Sequence, residues 1–326
     1  MMGWCLAVII YLVPFLASFF IVYLLIPVAK QWAWKVRLID MPIGRKAHQK
    51  PMPLSGGIAM YIGFVAVSIL FAGISPLLWV LIIGGALLIG VGSVDDWFKA
   101  EQKEFPVSPK LIIQLLAAVI AFAMDIRIRG INFSWLGGAS GEMLMFSTDI
   151  SFLATVLWIV GLTNMVNFLD GADGLAGGVV TFSATTLFFI AFVKGQTLTA
   201  VLAVIIVGAV LAFLRFNFYP AEMFMGDAGA TFLGFALAVL SLEGAMKSAT
   251  LISFVVTVLA LGLPVIDTCQ VFLSRMMSGT PMHQADRRHV HHRLMSIGLS
   301  TKQTVLLLYM VCLLFSTVSL LLFIFV

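Results

Sequence analysis

The sequence predicts an all-α integral membrane protein of about ten transmembrane helices, with its motif-bearing loops on the cytoplasmic face and a small external hairpin. Three observations predict it. Of 326 residues, 61% are hydrophobic and only 10% charged, against roughly 25% charged in a soluble domain. The apolar residues gather in runs close to the roughly 20 that a spanning helix needs. The charged residues gather between those runs, and they do so asymmetrically.

The first charge-free run is Met1 to Ala29. Its positive charges follow rather than precede it, and it outruns a signal-peptide core, so it reads as an uncleaved span. Pro51 to Val94 holds two spans folded at Gly73-Ile74-Ser75-Pro76. A fourth runs from about Leu111 to Met124, followed by Ile150 to Leu169, Gly174 to Val193 and Gly195 to Leu214. The eighth is Ala228 to Leu242, the ninth Ser248 to Ile266, and the last Gln303 to Val326. The chain reads as a single polytopic domain, with an external loop at 127–149 and a histidine- and arginine-bearing loop at 273–303.

Ten spans place both termini on one side. The loops Lys30–Pro53, Asp95–Lys110, the turn near Asp170, Arg215–Asp227 and Leu273–Lys302 carry 15 of the 19 lysines and arginines. The other set has only Arg127, Arg129, Lys194 and Lys247. The positive-inside rule makes the first set cytoplasmic and both termini external. In the external loop, Ile128–Trp135 and Glu142–Phe146 flank a Gly-rich segment, the pattern of a small hairpin.

Some functions are excluded early. The net charge of +4 is spread over short loops, which gives no nucleic-acid footprint. Cys5, Cys269 and Cys312 lie far apart in apolar runs, without disulfide or zinc spacing.

Under this topology the acids and histidines converge on one face. Asp95-Asp96 closes the third span; it is either a solvated helix end or a base or magnesium-associated carboxylate. Asn164, Asn167, Asp170 and Asp173 recur every third position, so several can share a helix face or the turn beyond it. The glycines after them let backbone approach a ligand. Asp227, between Gly226 and Ala228-Gly229, starts a helix; it is an N-cap or an oxygen ligand for a hard cation. Phe224 is either core or a platform for a flat base.

His283, Asp286, Arg287, Arg288, His289, His291, His292 and Arg293 fill the last cytoplasmic loop. They lack zinc spacing, and guanidinium beside imidazole better suits an anion. Acids for magnesium and cations for phosphates, beside lipid, are the parts of a phosphoryl-transfer site.

These motifs, in this order, resemble the polyprenyl-phosphate N-acetylhexosamine-1-phosphate transferases (glycosyltransferase family 4). The resemblance runs from Arg45-Lys46 through Lys50 and Gly56-Gly57 to His291-His292-Arg293. The last loop looks like the WecA/TagO branch rather than the related MraY translocases. It implies transfer of N-acetylglucosamine 1-phosphate from UDP-N-acetylglucosamine to undecaprenyl phosphate in the bacterial inner membrane. UMP would be released, starting an envelope polymer such as teichoic acid or O-antigen. The implied cofactor is magnesium, with manganese as a substitute; the implied surroundings are the lipid bilayer, and a homodimer is compatible with them.

By matching motif, Asn167 and Asp227 would ligate the metal, with Asp95, Asp96 and Asp227 as the catalytic acids. Asp173 and Phe224 would hold uracil. Asn164, Asp170, Lys110, Arg287, His289, His291, His292 and Arg293 would contact the remaining substrate groups. Two departures stand out: Ala230 replaces a frequent serine, and no third acid closely follows Asp96. The competing readings are a phospho-N-acetylmuramoyl-pentapeptide transferase and, from a different class, an ion-coupled secondary transporter. The transporter reading is weakened by acids confined to one face and by the lack of an inverted repeat.

Overall fold

The computed structural model describes residues 2–42, 50–132, 143–244, 251–278 and 288–325. Within them the chain is almost wholly helical. The long helices are α1 (Met2–Val36), α2 (Gly56–Phe71), α3 (Pro76–Ala100), α4 (Val107–Ala123), α5 (Thr148–Leu169) and α6 (Leu175–Val193). They continue with α7 (Thr197–Asn217), α8 (Gly226–Glu243), α9 (Leu251–Ala260), α10 (Gly262–Ser278), the short α11 (Val290–Ser296) and α12 (Thr301–Phe325).

Seven of these helices are long and apolar enough to cross a membrane, and α9 with α10 makes an eighth as one bent span. The apolar helices α2 and α4 are shorter, at 16 and 17 residues. Counting them gives the expected number of about ten. At about 1.5 Å per residue each spans roughly 25 Å, a little under the hydrocarbon thickness.

Several boundaries differ from expectation. Helix α1 continues past Ala29 to Val36, because Lys30 and Lys35 prolong it without a breaker. Helix α3 continues to Ala100, so Asp95 and Asp96 lie inside its last turns, buried, rather than at a solvated end. The ninth span is not straight: it bends by 87° between Ala260 and Gly262. Gly262 and Pro264 sit at that break, and Pro264 has no N–H to continue the ladder. Helix α10 also carries the chain to Ser278, and α12 starts at Thr301, which shortens the 273–303 loop from both ends.

Burial ranks the helices from centre to lipid. Helix α8 is 89% buried along its apolar window, whereas α1 and α12 reach 22% and 28%, so α8 is the axis of the bundle and they face outward. Exposed Phe20 and Leu24 on α1 and Leu313 and Leu314 on α12 suit hydrocarbon, which is as apolar as they are. Small residues let the central helices approach. A Cβ on Gly57 of α2 would fall on the backbone of Gly229 in α8, and one on Gly92 of α3 on that of Ala228.

Two small sheets finish the ends. Strand β1 (Ile39–Asp40) pairs antiparallel with β2 (Met52–Pro53) in the loop after α1. Strand β3 (Gly130–Asn132) pairs antiparallel with β4 (Met143–Met145), Gly130 opposite Met145. This is the expected hairpin; its Gly-rich turn lies outside the described residues.

Candidate active site

The acids meet at the end of the bundle where α3 and α5 finish and α4 and α8 begin. The starts of α4 and α8 carry the positive ends of their helix dipoles, which favour carboxylates there.

Asp227, in the first turn of α8, is the hub. Its carboxylate pairs with Lys99 Nζ at 2.5 Å and also with Lys110 Nζ. Lys110 reaches Asp95 Oδ2 at 3.0 Å, and Lys99 lies 3.7 Å from the same oxygen. Two lysines thus knit α3, α4 and α8 through Asp95 and Asp227. Lys99 stands four residues after Asp95 on α3, a same-face spacing visible in the sequence, but its partnership with Asp227 is not.

Asp96 is fully buried. Its carboxylate accepts the backbone N–H of Asp227 at 2.8 Å and of Ala228 at 3.2 Å. Gly226 precedes them with φ +70°, and a Cβ there would collide with the Asp96 carboxylate. Only glycine fits that position on both counts.

The segment before α8 is pinned from two sides. Phe224 N–H donates to the Pro53 carbonyl at 2.9 Å, while Gly56 and Gly57 donate to the carbonyls of Phe224 and Met225 at 3.1 and 3.0 Å. Asp173 accepts from Ala221 N–H at 3.0 Å. Asn217, buried at the end of α7, accepts from Gly174 N–H at 3.0 Å and donates to the Met223 carbonyl at 2.9 Å. Tyr309 of α12 donates to the Gly174 carbonyl at 2.6 Å. Asn217 and Tyr309 therefore fix the turn after α5 against the turn before α8. Both escape sequence reasoning, since each is a lone polar residue ending or interrupting an apolar helix.

These loops enclose a cavity of about 900 Å³. Its lining includes the acids Asp96, Asp170, Asp173 and Asp227, the aromatic rings of Trp34 and Phe224, and the lysines Lys30, Lys50 and Lys99. Among the described residues, Asp95, Lys110, Asn164, Asn167, His289, His291 and His292 are not on the wall. Lys110 reaches it through Asp227, and His291 through Gly171: a Cβ on Gly171 would lie 2.5 Å from His291 Nε2. Asp170, just past the end of α5, has its carboxyl pushed up to about 7 by burial and the nearby charge of Asp227, with Lys99 opposing.

Asn164 forms a reciprocal amide pair with Gln114 of α4: its Nδ2 donates at 2.7 Å and its Oδ1 accepts at 3.2 Å. Gln114 stands one turn after Lys110 on the same helix, which is the signal that could have found it. Asn167 lies beyond the point where α5 crosses α8. There a Cβ on Gly234 would meet the Leu162 carbonyl at 2.7 Å and Thr163 Cα at 2.8 Å. Counting at about 1.5 Å per residue from that crossing, four residues to Asn167 and seven back to Asp227, puts the two within roughly 5 Å of one level. Asn167 Oδ1 is buried without a hydrogen-bond partner among the described residues.

That orphaned oxygen is a donor of the kind a hard cation takes, while both oxygens of the Asp227 carboxylate are engaged by Lys99 and Lys110. Among the described residues no three acids, histidines or cysteines gather as a complete metal cage. Magnesium suits such a sparse set, since it takes one or two protein oxygens and fills its sphere with water and phosphate.

The histidine segment packs beside the cavity. His289 Nδ1 lies 2.8 Å from Asp267 Oδ2 on α10, and its ring lies 5.7 Å from that of Phe168. His291 is 1% exposed, neither ring nitrogen has a hydrogen-bond partner among the described residues, and burial beside His292 pushes its pKa down to about 4. The His291 and His292 rings are 4.1 Å apart. Arg293 is exposed on α11. Arg287, expected at the substrate phosphates, lies outside the described residues, as do His283 and Asp286.

Comparison with known proteins agrees with this architecture. A family model described as glycosyl transferase family 4 matches residues 78–245, which run from α3 to just past α8. The chain is 35% identical over 309 residues to a probable undecaprenyl-phosphate N-acetylglucosaminyl 1-phosphate transferase of Bacillus subtilis, covering 93% of this chain and 82% of that protein. It is 30% identical to a decaprenyl-phosphate N-acetylglucosaminephosphotransferase of Mycobacterium leprae, over 85% of this chain and 74% of the other. It is 28% identical to an undecaprenyl-phosphate alpha-N-acetylglucosaminyl 1-phosphate transferase of Escherichia coli O157:H7, over 90% and 78%. A multi-pass bundle with its acids gathered at one end, and a family match across the helices that carry those acids, place the chain in glycosyl transferase family 4.

Proposed function

We propose that the protein transfers N-acetylglucosamine 1-phosphate from UDP-N-acetylglucosamine to a polyprenyl phosphate, undecaprenyl phosphate above all, and releases UMP. The observation that carries this reading is the cavity of about 900 Å³ at one end of a membrane bundle. Its lining combines acids with lysines, in a chain whose relatives are named as polyprenyl-phosphate N-acetylglucosaminyl 1-phosphate transferases. The reaction starts cell-envelope polymer synthesis at the bacterial inner membrane. The site faces the cytoplasm and both termini lie outside, as the 15-to-4 division of basic residues favours.

A phosphate oxygen of the lipid attacks the β-phosphorus of the UDP-sugar. The bond from that phosphorus to the bridging oxygen breaks, and UMP departs with the electron pair. Asn167 and Asp227 would hold magnesium, or manganese in its place. When bound, the cation offsets diphosphate charge and stabilises the departing phosphate. Lys99 and Lys110 keep Asp95 and Asp227 fixed, and Lys99, on the cavity wall, gives the phosphates a cationic flank. Asp173 and Phe224, on the cavity wall, would receive the uracil. The histidines and arginines of the α10–α12 connection would meet the diphosphate and sugar. Asp95 serves as an auxiliary group, since a lipid phosphate is already mostly ionised at neutral pH.

The test is purified protein with magnesium, undecaprenyl phosphate and single UDP-sugars, scored by UMP. Release with UDP-N-acetylglucosamine alone is expected. Release only with UDP-N-acetylmuramoyl-pentapeptide would move the protein to the translocase reaction. Solute uptake into proteoliposomes without UMP would make it a transporter.

A further inference from the structure

Asp267 is an acid buried in the first half of α10, 2% exposed. A carboxylate in such surroundings is costly unless both oxygens are satisfied. Here they are. Oδ1 accepts the backbone N–H of Val290 at 2.8 Å, the first residue of α11. Oδ2 faces His289 Nδ1 at 2.8 Å. One side chain thus holds the histidine and sets the start of the short helix that follows it.

The arrangement is closed from the other side. The ring of His289 packs against Phe168 of α5, adjacent to Asn167. The His291 ring, parallel to His289 within 15° at 6.0 Å, fits against Gly171 on the cavity wall. Further along α10, Ser274 and Ser278 accept from Arg288 Nη1 at 3.0 and 2.9 Å. The limb beyond the 87° bend therefore holds the segment at Arg288, His289 and Val290, and Asp267 is its contact to an imidazole.

We infer that Asp267 is a positioning residue for the transfer: it fixes His289 with the proton on Nδ1, leaves Nε2 to face the substrate side, and seats α11 so that His291 meets the cavity wall. A carboxylate only accepts hydrogen bonds, so the pairing itself dictates which nitrogen carries the proton. The inference rests on the proposed reading that the histidine segment serves phosphosugar transfer.

The decisive variant is Asp267→Asn. Val290 N–H needs an acceptor, so the asparagine oxygen must stay there. Its amide N–H₂ then faces His289 Nδ1 and forces the proton to Nε2. The shape is kept and the tautomer is reversed. Wild type, Asp267→Asn and His289→Gln are compared in detergent or nanodiscs, with ¹⁵N-histidine spectra, thermal unfolding and steady-state UMP release. The chain has only five histidines, and His289→Gln identifies the signal by its loss.

The expected result is an Nδ1-protonated His289 in wild type and an Nε2-protonated one in Asp267→Asn. Turnover should fall on the order of 100-fold or more, as when an orienting acid is made neutral. KM for UDP-N-acetylglucosamine should change less than about threefold, with unfolding temperature preserved. An unchanged tautomer, or turnover within about threefold of wild type, would overturn the inference. If wild type releases no UMP from any UDP-sugar, the transfer reading fails while the spectra still decide the Asp267–His289 pairing.

Discussion

Asp96 caps α8 from a different helix: its two carboxylate oxygens take the backbone N–H groups of Asp227 and Ala228, 131 and 132 positions away. One of the acids expected to be catalytic thus holds the hub residue in place. Asp95 and Asp96 are neighbours with divided tasks, one paired with lysine side chains and one with backbone.

Asp96→Ala should therefore act through structure first. It leaves two buried N–H groups unpaired, at about 1–3 kcal/mol for each, and it frees Asp227 to shift. Thermal unfolding in detergent should show the loss, and UMP release should fall with it. Gly226→Ala should reproduce the loss of activity, at least tenfold, because its Cβ collides with the Asp96 carboxylate and the backbone there has φ +70°. Near-normal turnover in Gly226→Ala would show that the cap is not needed for the site.

Much of the fold was legible because lipid removes the need for subtle patterning. A charge-free run near 20 residues is enough to mark a span. Lys30 and Lys35 did not stop α1, since helix ends in a membrane protein follow capping and packing rather than the first charge. The site was legible as a set of residue types and as one end of the bundle. It was not legible as pairs. Gln114 with Asn164, Asn217 with Gly174, and Asp267 with His289 join segments far apart in the chain, and nothing local to either partner announces the other.

Asn167 bears on the metal. Its buried Oδ1 has no protein partner among the described residues, and it stands near the level of Asp227. Asn167→Ala should raise the magnesium concentration for half-maximal turnover on the order of tenfold or more, because a cation with few protein ligands loses one of them. Asn167→Asp should restore much of the affinity through its oxygen. Chelation with EDTA should abolish turnover and magnesium should return it. Equal magnesium titrations for wild type and Asn167→Ala would remove Asn167 from the ligand set.

Two side chains outside the spans set opposite pH dependences of stability. Burial holds the His291 pKa at about 4 against 6.5, so the unfolded chain takes up its proton first. Stability is full above about pH 6.5 and falls as pH drops towards about 4, by about 2–4 kcal/mol. Asp170 runs the other way. Its pKa rises from 3.8 to about 7, so its contribution is present below about pH 4 and is lost as pH rises through about 7. Unfolding temperatures between pH 4 and 8, in EDTA so that metal binding does not intervene, should separate them. His291→Gln should flatten the acid-side loss and Asp170→Asn the loss towards neutrality. Parallel curves for either variant and wild type would contradict the corresponding assignment.

The Gln114–Asn164 pair tests whether α4 is locked to α5 by its amides. Each amide both donates to and accepts from the other, at 2.7 and 3.2 Å, and Gln114 is 2% exposed. Lys110 precedes Gln114 by one turn, so a shift of α4 would carry the ammonium away from Asp95 and Asp227. Hydrogen bonds between membrane helices average about 0.6 kcal/mol and reach about 1.7. A double-mutant cycle with Gln114→Leu and Asn164→Leu should give a coupling in that range by thermal or denaturant unfolding. The activity data should be more telling than the stability. Gln114→Leu should lower turnover several-fold with little change in unfolding temperature, because the lysine is moved while the apolar packing survives. Additive stabilities together with unchanged turnover would reduce the pair to a local contact with no hold on the site.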